Sequence, residues 1–328
     1  GPQAAQITPA LALQVAGWLL WLAGAHLHAV VAMVGLAIAG TGLALQVGRF
    51  WRLLLTSRAE DRVHAFVVAI GGALGVCCTA GLVLALGFDA TPLALALVRT
   101  ALWGFIVATY VAVAHRMIPF FTSAVLPMIE VWRPFWVLWL MLGAVVLEVV
   151  SVWVDWAGWG DAAIWRGLRG GLELAAGGVL VWLSWVWGLV QSLKIRLLAM
   201  LHVGFLWLGL SLVLSGASQL LGALGVPSSL GLGALHALTM GFLGSTLLAM
   251  ATRVACGHSG RALVADATVW TLFWVLQAAV LLRIVGALPG ATGLWLTAAA
   301  LVWTGVVLVW GVRLMNWFGR PRADGRPG

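Results

Sequence analysis

The sequence predicts an all-α fold, a polytopic membrane helix bundle of about ten transmembrane helices. Three observations predict it. Hydrophobic residues make up 63% of the 328 positions and charged residues only 9%, against roughly 25% charged in soluble domains. The apolar residues fall in runs of the length, about 20, that a helix needs to cross the hydrocarbon. The basic residues cluster in alternate connections, as positive-inside sorting requires.

Taken in order, the runs place spans at residues 9–26, 28–48, 63–87, 91–114, 133–154, 168–190, 197–222, 230–252, 264–286 and 292–314. The first two join tightly around residues 24–28. An even number of spans puts both ends on one side. Alternate connections carry Arg49, Arg52, Arg58 and Arg62, then Arg116 and Arg133, then Lys194 and Arg196, then Arg253 and Arg261. The tail adds Arg313, Arg320, Arg322 and Arg326, so 14 of the 18 basic residues lie on one face, which is expected to be cytoplasmic. The opposite connections at 87–92, 222–229 and 288–293 hold none, and Arg166 and Arg169 are the exceptions.

Residues 1–328 read as a single membrane domain with a short basic cytoplasmic tail at 316–328. The net charge of +8 goes with this orientation and not with nucleic acid. The expected partner is the lipid bilayer. The opening Gly1-Pro2-Gln3 has no methionine and reads as a processed chain or fragment, and no charged region marks a signal peptide. Cys77, Cys78 and Cys256 make no disulfide framework.

Ionisable groups inside a membrane are costly and usually functional. Counted at about 1.5 Å per residue, Arg99, Glu148, Glu173 and His236 each lie roughly 8–13 Å inside one face, which predicts a buried polar network. An Arg99 salt bridge to one glutamate is the plainer alternative. A second layer holds His115, Arg116, His202, Arg253, His258 and Arg261, where orientation alone explains basic residues, His64 included. His26 and His28 read as solvated turn residues. His236 is the most informative, because imidazole ligates haem iron and copper. Met240 follows one turn later on the same face as a second soft donor. The alternative is a histidine that hydrogen-bonds helices together, and Gly241, Gly244, Ser245 and Thr246 point to close helix packing that either reading accommodates. No phosphate loop, CxxCH, HExxH or CxxC motif is present.

Three ordered segments carry a resemblance. His236-Ala237-Leu238-Thr239 leads to Thr252-Arg253-Val254 and then Gly257-His258-Ser259-Gly260-Arg261. His115-Arg116-Met117-Ile118-Pro119-Phe120-Phe121-Thr122 and Leu201-His202-Val203-Gly204-Phe205-Leu206-Trp207 precede them. Together they resemble the NnrS family, whose motifs run Arg-x-Ile-Pro-x-Phe-Thr, Leu-His-x-Gly-Tyr-x-Trp and His-Ala-Leu-Thr to Gly-His-Thr-Gly-Arg. The family usually has twelve spans and an N-terminal His-x-His-Glu-Met motif. Neither the motif nor the extra two helices is found here, so the first two helices are expected to be missing. Ser259 stands where threonine is usual.

The resemblance implies a bacterial inner-membrane protein containing haem and copper, with a role in resistance to nitric oxide and nitrosative stress. It implies His236, Met240 and His202 as cofactor-binding residues and His236 as a metal ligand toward the periplasmic side. Arg116, Pro119, Arg253, Gly257, His258, Gly260 and Arg261 are its motif residues, the last four capping a helix end. Nitric oxide or a metal–nitrosyl species is the implied ligand. Two other classes stay open: a transporter with a cavity lined by Arg99, Glu148 and Glu173, and an assembly role beside a respiratory complex.

Overall fold

The computed structural model describes residues 4–126, 128–226 and 230–325, the side chains from residue 7 onward. Arg326 of the tail and Ser229 of the last uncharged connections lie outside them. Ten long helices follow one another: α1 (Ala4–Leu27), α2 (Ala29–Thr56), α3 (Val63–Gly87), α4 (Thr91–Val125), α5 (Phe135–Trp156), α6 (Ala163–Val186), α7 (Arg196–Ala223), α8 (Gly233–His258), α9 (Ala267–Val285) and α10 (Gly293–Met315). Among the described residues nine of these are long and apolar enough to cross a membrane. The tenth, α6, has the length, but Arg166, Arg169 and Glu173 dilute its hydropathy.

Several boundaries differ from the sequence reading: α1 starts at Ala4 and α6 runs Ala163–Val186, earlier than expected at both its ends. Helix α2 continues past residue 48 through Arg49 and Arg52. Helix α8 starts at Gly233 and runs on to His258, so His236 lies about 5 Å from its start, shallower than expected. Helix α4 passes through Pro119 to Val125, where a turn was expected. A proline removes one backbone hydrogen bond without ending a helix whose faces are otherwise packed. Ile118, Pro119 and Thr122 are buried here, and Thr122 Oγ1 donates back to the Ile118 carbonyl at 2.8 Å.

The helices group into two compact units, residues 1–115 with 135–161 and residues 116–134 with 162–325. In the first, α1 to α5 pack each against the next. The α1–α2 hairpin closes on glycines: a Cβ at Gly42 would lie 2.6 Å from the Ala10 carbonyl oxygen, and one at Gly17 2.6 Å from that of Gly35. In the second, α7 is the central helix. Its contact with α6 uses glycines on both sides, since a Cβ at Gly177 would lie 2.7 Å from the Gly209 oxygen and one at Gly216 2.7 Å from the Gly170 oxygen. Small residues let membrane helices approach this closely where water exclusion gives no driving force.

Two π-helical segments interrupt α4 and α8, Leu102–Val107 and Ala237–Gly244. Such insertions recur at functional sites. The second begins immediately after His236.

Candidate functional site

Polar groups of the second unit gather at three places along α7 and α8. Near the start of α8, His236 Nε2 accepts a hydrogen bond from Arg283 Nε of α9 at 3.0 Å. Arginine only donates, so this nitrogen is the bare acceptor and a neutral imidazole carries its proton on Nδ1. His236, Met240 and Arg283 line one cavity of about 410 Å³, walled by Leu296, Ala299, Ala300 and Trp303 of α10. Met240 lies within the π-helical turn and His236 immediately before it, and Trp303 packs against Gly244, where a Cβ would lie 3.0 Å from its ring.

Midway along α8, Trp207 of α7 packs on Gly241, where a Cβ would meet its ring at 2.6 Å. Its indole donates to Gln277 Oε1 at 2.8 Å, and Gln277 Nε2 donates to Ser245 Oγ at 3.0 Å. Here Gly241 and Ser245 serve helix packing, which both readings of His236 accommodate.

Toward the start of α7, His202 is fully buried and its Nε2 lies 2.9 Å from Thr122 Oγ1. The threonine proton is committed to Ile118, so Nε2–H is the donor and Thr122 accepts. His202 Nδ1 is therefore a bare lone pair with no hydrogen-bond partner in its enclosed setting. The Arg253 guanidinium covers the Phe121 ring at 4.2 Å, a cation–π contact.

The glycine-rich turn caps α8 as expected. Arg261 N–H bonds to the Cys256 carbonyl at 2.9 Å and Gly260 N–H to Gly257 at 3.4 Å, with Gly260 at φ +69°. This is a Schellman cap. The tail docks on it: Ala323 N–H donates to the Ser259 carbonyl at 2.9 Å, and Arg261 covers Trp317 at 4.7 Å. His258 is exposed beside the cap.

The expected network of Arg99, Glu148 and Glu173 is corrected in part. Arg99 is exposed, one turn after the exposed Leu95 on the same face of α4. Glu173 is buried but pairs at 2.6 Å with Arg169, one turn earlier on α6. Glu148 is buried. Arg99 and Glu148 belong to the first unit, Glu173 and His236 to the second. Arg116 is exposed, and exposed His28 caps α2 by accepting from Val30 N–H at 3.2 Å.

The sequence reading missed one pair. In the first unit, buried His64 and His115 are hydrogen-bonded, Nε2 to Nδ1 at 2.9 Å, with rings stacked at 5.2 Å and Phe135 beside both. They are 51 residues apart on different helices, and no sequence signal joins them.

The sequence profile of the NnrS protein family matches residues 4–322. The chain belongs to the NnrS family. No curated protein and no solved structure is found to match it. Residues of the three segments that resemble the NnrS motifs meet in the second unit, Thr122 with His202, Phe121 with Arg253 and Trp207 with Gly241.

Haem and copper, which NnrS membership implies, set different demands. Haem brings its own four equatorial nitrogens and takes His or Met as axial ligands. His236 and Met240 on one cavity fit that demand in kind. A copper ion needs more protein donors, and the described residues hold no cluster of three or more His, Cys, Asp or Glu suited to a metal. Ligation through His236 requires the Arg283 hydrogen bond to be given up. That bond uses the Nε2 lone pair and keeps the proton on Nδ1.

Proposed function

We propose that this NnrS-family membrane protein acts in bacterial resistance to nitric oxide and holds haem, with copper as the second implied metal, at the His236 cavity. The observation that carries the reading is the sharing of one cavity by His236 and Met240. Both ends of the chain are assigned to the cytoplasm and the cavity to the periplasmic side, from the placement of the basic residues.

A bound haem or copper would supply a redox-active centre able to take nitric oxide as a ligand. The chain's residues do the rest. Leu296, Ala299 and Trp303 keep the cavity wall apolar, and His236, just before the π-helical turn, and Met240, within it, both line it. Arg283 occupies the Nε2 lone pair of His236 and orients its ring. A transport cavity lined by Arg99, Glu148 and Glu173 is less well supported, because Arg99 faces outward and Glu173 is tied to Arg169.

The test is an optical spectrum of the purified full chain. Soret and α bands that shift on addition of nitric oxide support the reading. A colourless protein without bound metal that carries a solute across vesicle membranes would replace it with the transporter.

A further inference from the structure

Three of the four acidic side chains of the second unit pair with an arginine. Glu173 pairs with Arg169, Asp266 with Arg313 and Asp324 with Arg322. The remaining carboxylate of that unit, Glu130, is exposed in the connection after α4. Arg283, inside the span of α9, has no carboxylate partner among the described residues. Its hydrogen bond is to a neutral imidazole.

The cavity around it is donor-rich and acceptor-poor. His236 has used its lone pair on Arg283 and presents Nδ1–H. The guanidinium retains its two terminal NH2 groups in a planar fork. Thr239, the one hydroxyl among the lining residues, gives its proton to the Leu235 carbonyl at 2.9 Å and leaves a neutral oxygen as the weak acceptor beside these donors. Leu296, Ala299, Ala300 and Trp303 complete the wall, and no acidic residue lines it.

We propose that this cavity is an anion site, in which the Arg283 fork takes a compact oxyanion, a phosphate or carboxylate group, with His236 Nδ1–H as an additional donor. A half-buried cation facing apolar walls favours a negative ligand, and guanidinium matches the two oxygens of such a group in bidentate fashion. The charge can arrive on a free oxyanion or on the headgroup of an anionic lipid, since Arg283 is two residues from the end of α9. The inference concerns the same cavity as the proposed cofactor but needs no metal in it.

The test measures thermal unfolding of the full chain in nanodiscs of zwitterionic lipid, titrated with inorganic phosphate, and in discs containing phosphatidylglycerol. A free-anion site shows a phosphate-dependent rise in midpoint in zwitterionic discs. A lipid site shows the rise only with phosphatidylglycerol. In either case Arg283→Gln weakens apparent affinity by about tenfold or more, the loss expected for hydrogen bonds to a charged group. Ala299→Leu, which takes up cavity volume without touching the charge, weakens it as well. No rise with either anion source in the wild type overturns the proposal. So does a rise of the same size in a folded Arg283→Gln variant. Metal content measured on the same samples separates this outcome from the cofactor reading, since each can fail while the other stands.

Discussion

At the scale of single residues, the cap of α8 shows how strongly one position can be constrained. Gly260 adopts φ +69°, and a Cβ there would lie 2.5 Å from Asp324 Oδ1 of the docked tail. Gly257 is helical, and a Cβ there would meet only Leu263 at 3.7 Å. Gly260→Ala is therefore expected to cost about 1–2 kcal/mol or more from the left-handed backbone alone, and Gly257→Ala to be neutral or stabilising by up to about 1 kcal/mol. Thermal unfolding of the two variants checks the contrast. The buried Thr122–His202 bond gives a second test. Thr122→Val strands the His202 Nε2–H and is expected to cost about 1–3 kcal/mol. Adding His202→Leu to it is expected to cost less than the sum of the two single changes, because removing both partners leaves no buried polar group unpaired. Strict additivity in that double-mutant cycle would contradict the bond. The sequence marked both residues through family motifs, yet it could not show that they touch, since 80 positions separate them. Arg99 was misplaced for a different reason. Hydropathy reports depth in a membrane, not which way a helix face turns, and Leu95 and Val98 are as apolar toward lipid as toward a core.

At the scale of elements, existence and order were legible because each helix must supply its own run of about 20 apolar residues. Boundaries were less so. Arginines end a hydropathy window but do not end a helix, and α2 carries Arg49 and Arg52 in its last two turns. The π-helical turns left only the faint mark of Gly241 and Gly244, which mean close packing equally well. The contact of α6 with α7 can be probed through its glycines. Gly177→Leu is expected to separate the two helices and lower the yield of folded protein, because its Cβ meets the Gly209 carbonyl and Val213 backbone. Gly178→Leu points into open space and is expected to be tolerated. Size-exclusion profiles in detergent distinguish the two, and equal behaviour would contradict the packing.

At the scale of the whole molecule, membership of the NnrS family over residues 4–322 matches what three dispersed motifs implied. The grouping of helices into two compact units left no trace in the sequence, since no linker or charge block divides them and α4 runs from one into the other. Orientation is open to direct test. A reporter active only in the periplasm is expected to be active when fused after Gly225 and silent when fused after Ser259. The assignment of the cofactor to one end of the molecule is tested by metal occupancy. His236 and His258 lie 22 residues apart on α8, roughly 33 Å at the rise of an α-helix, and cannot share one metal centre. The decisive measurement is therefore bound haem and copper in purified wild type, His236→Ala and His258→Ala proteins that insert equally well. Loss in His236→Ala with retention in His258→Ala is the expected result, and full occupancy in His236→Ala would remove His236 from the site.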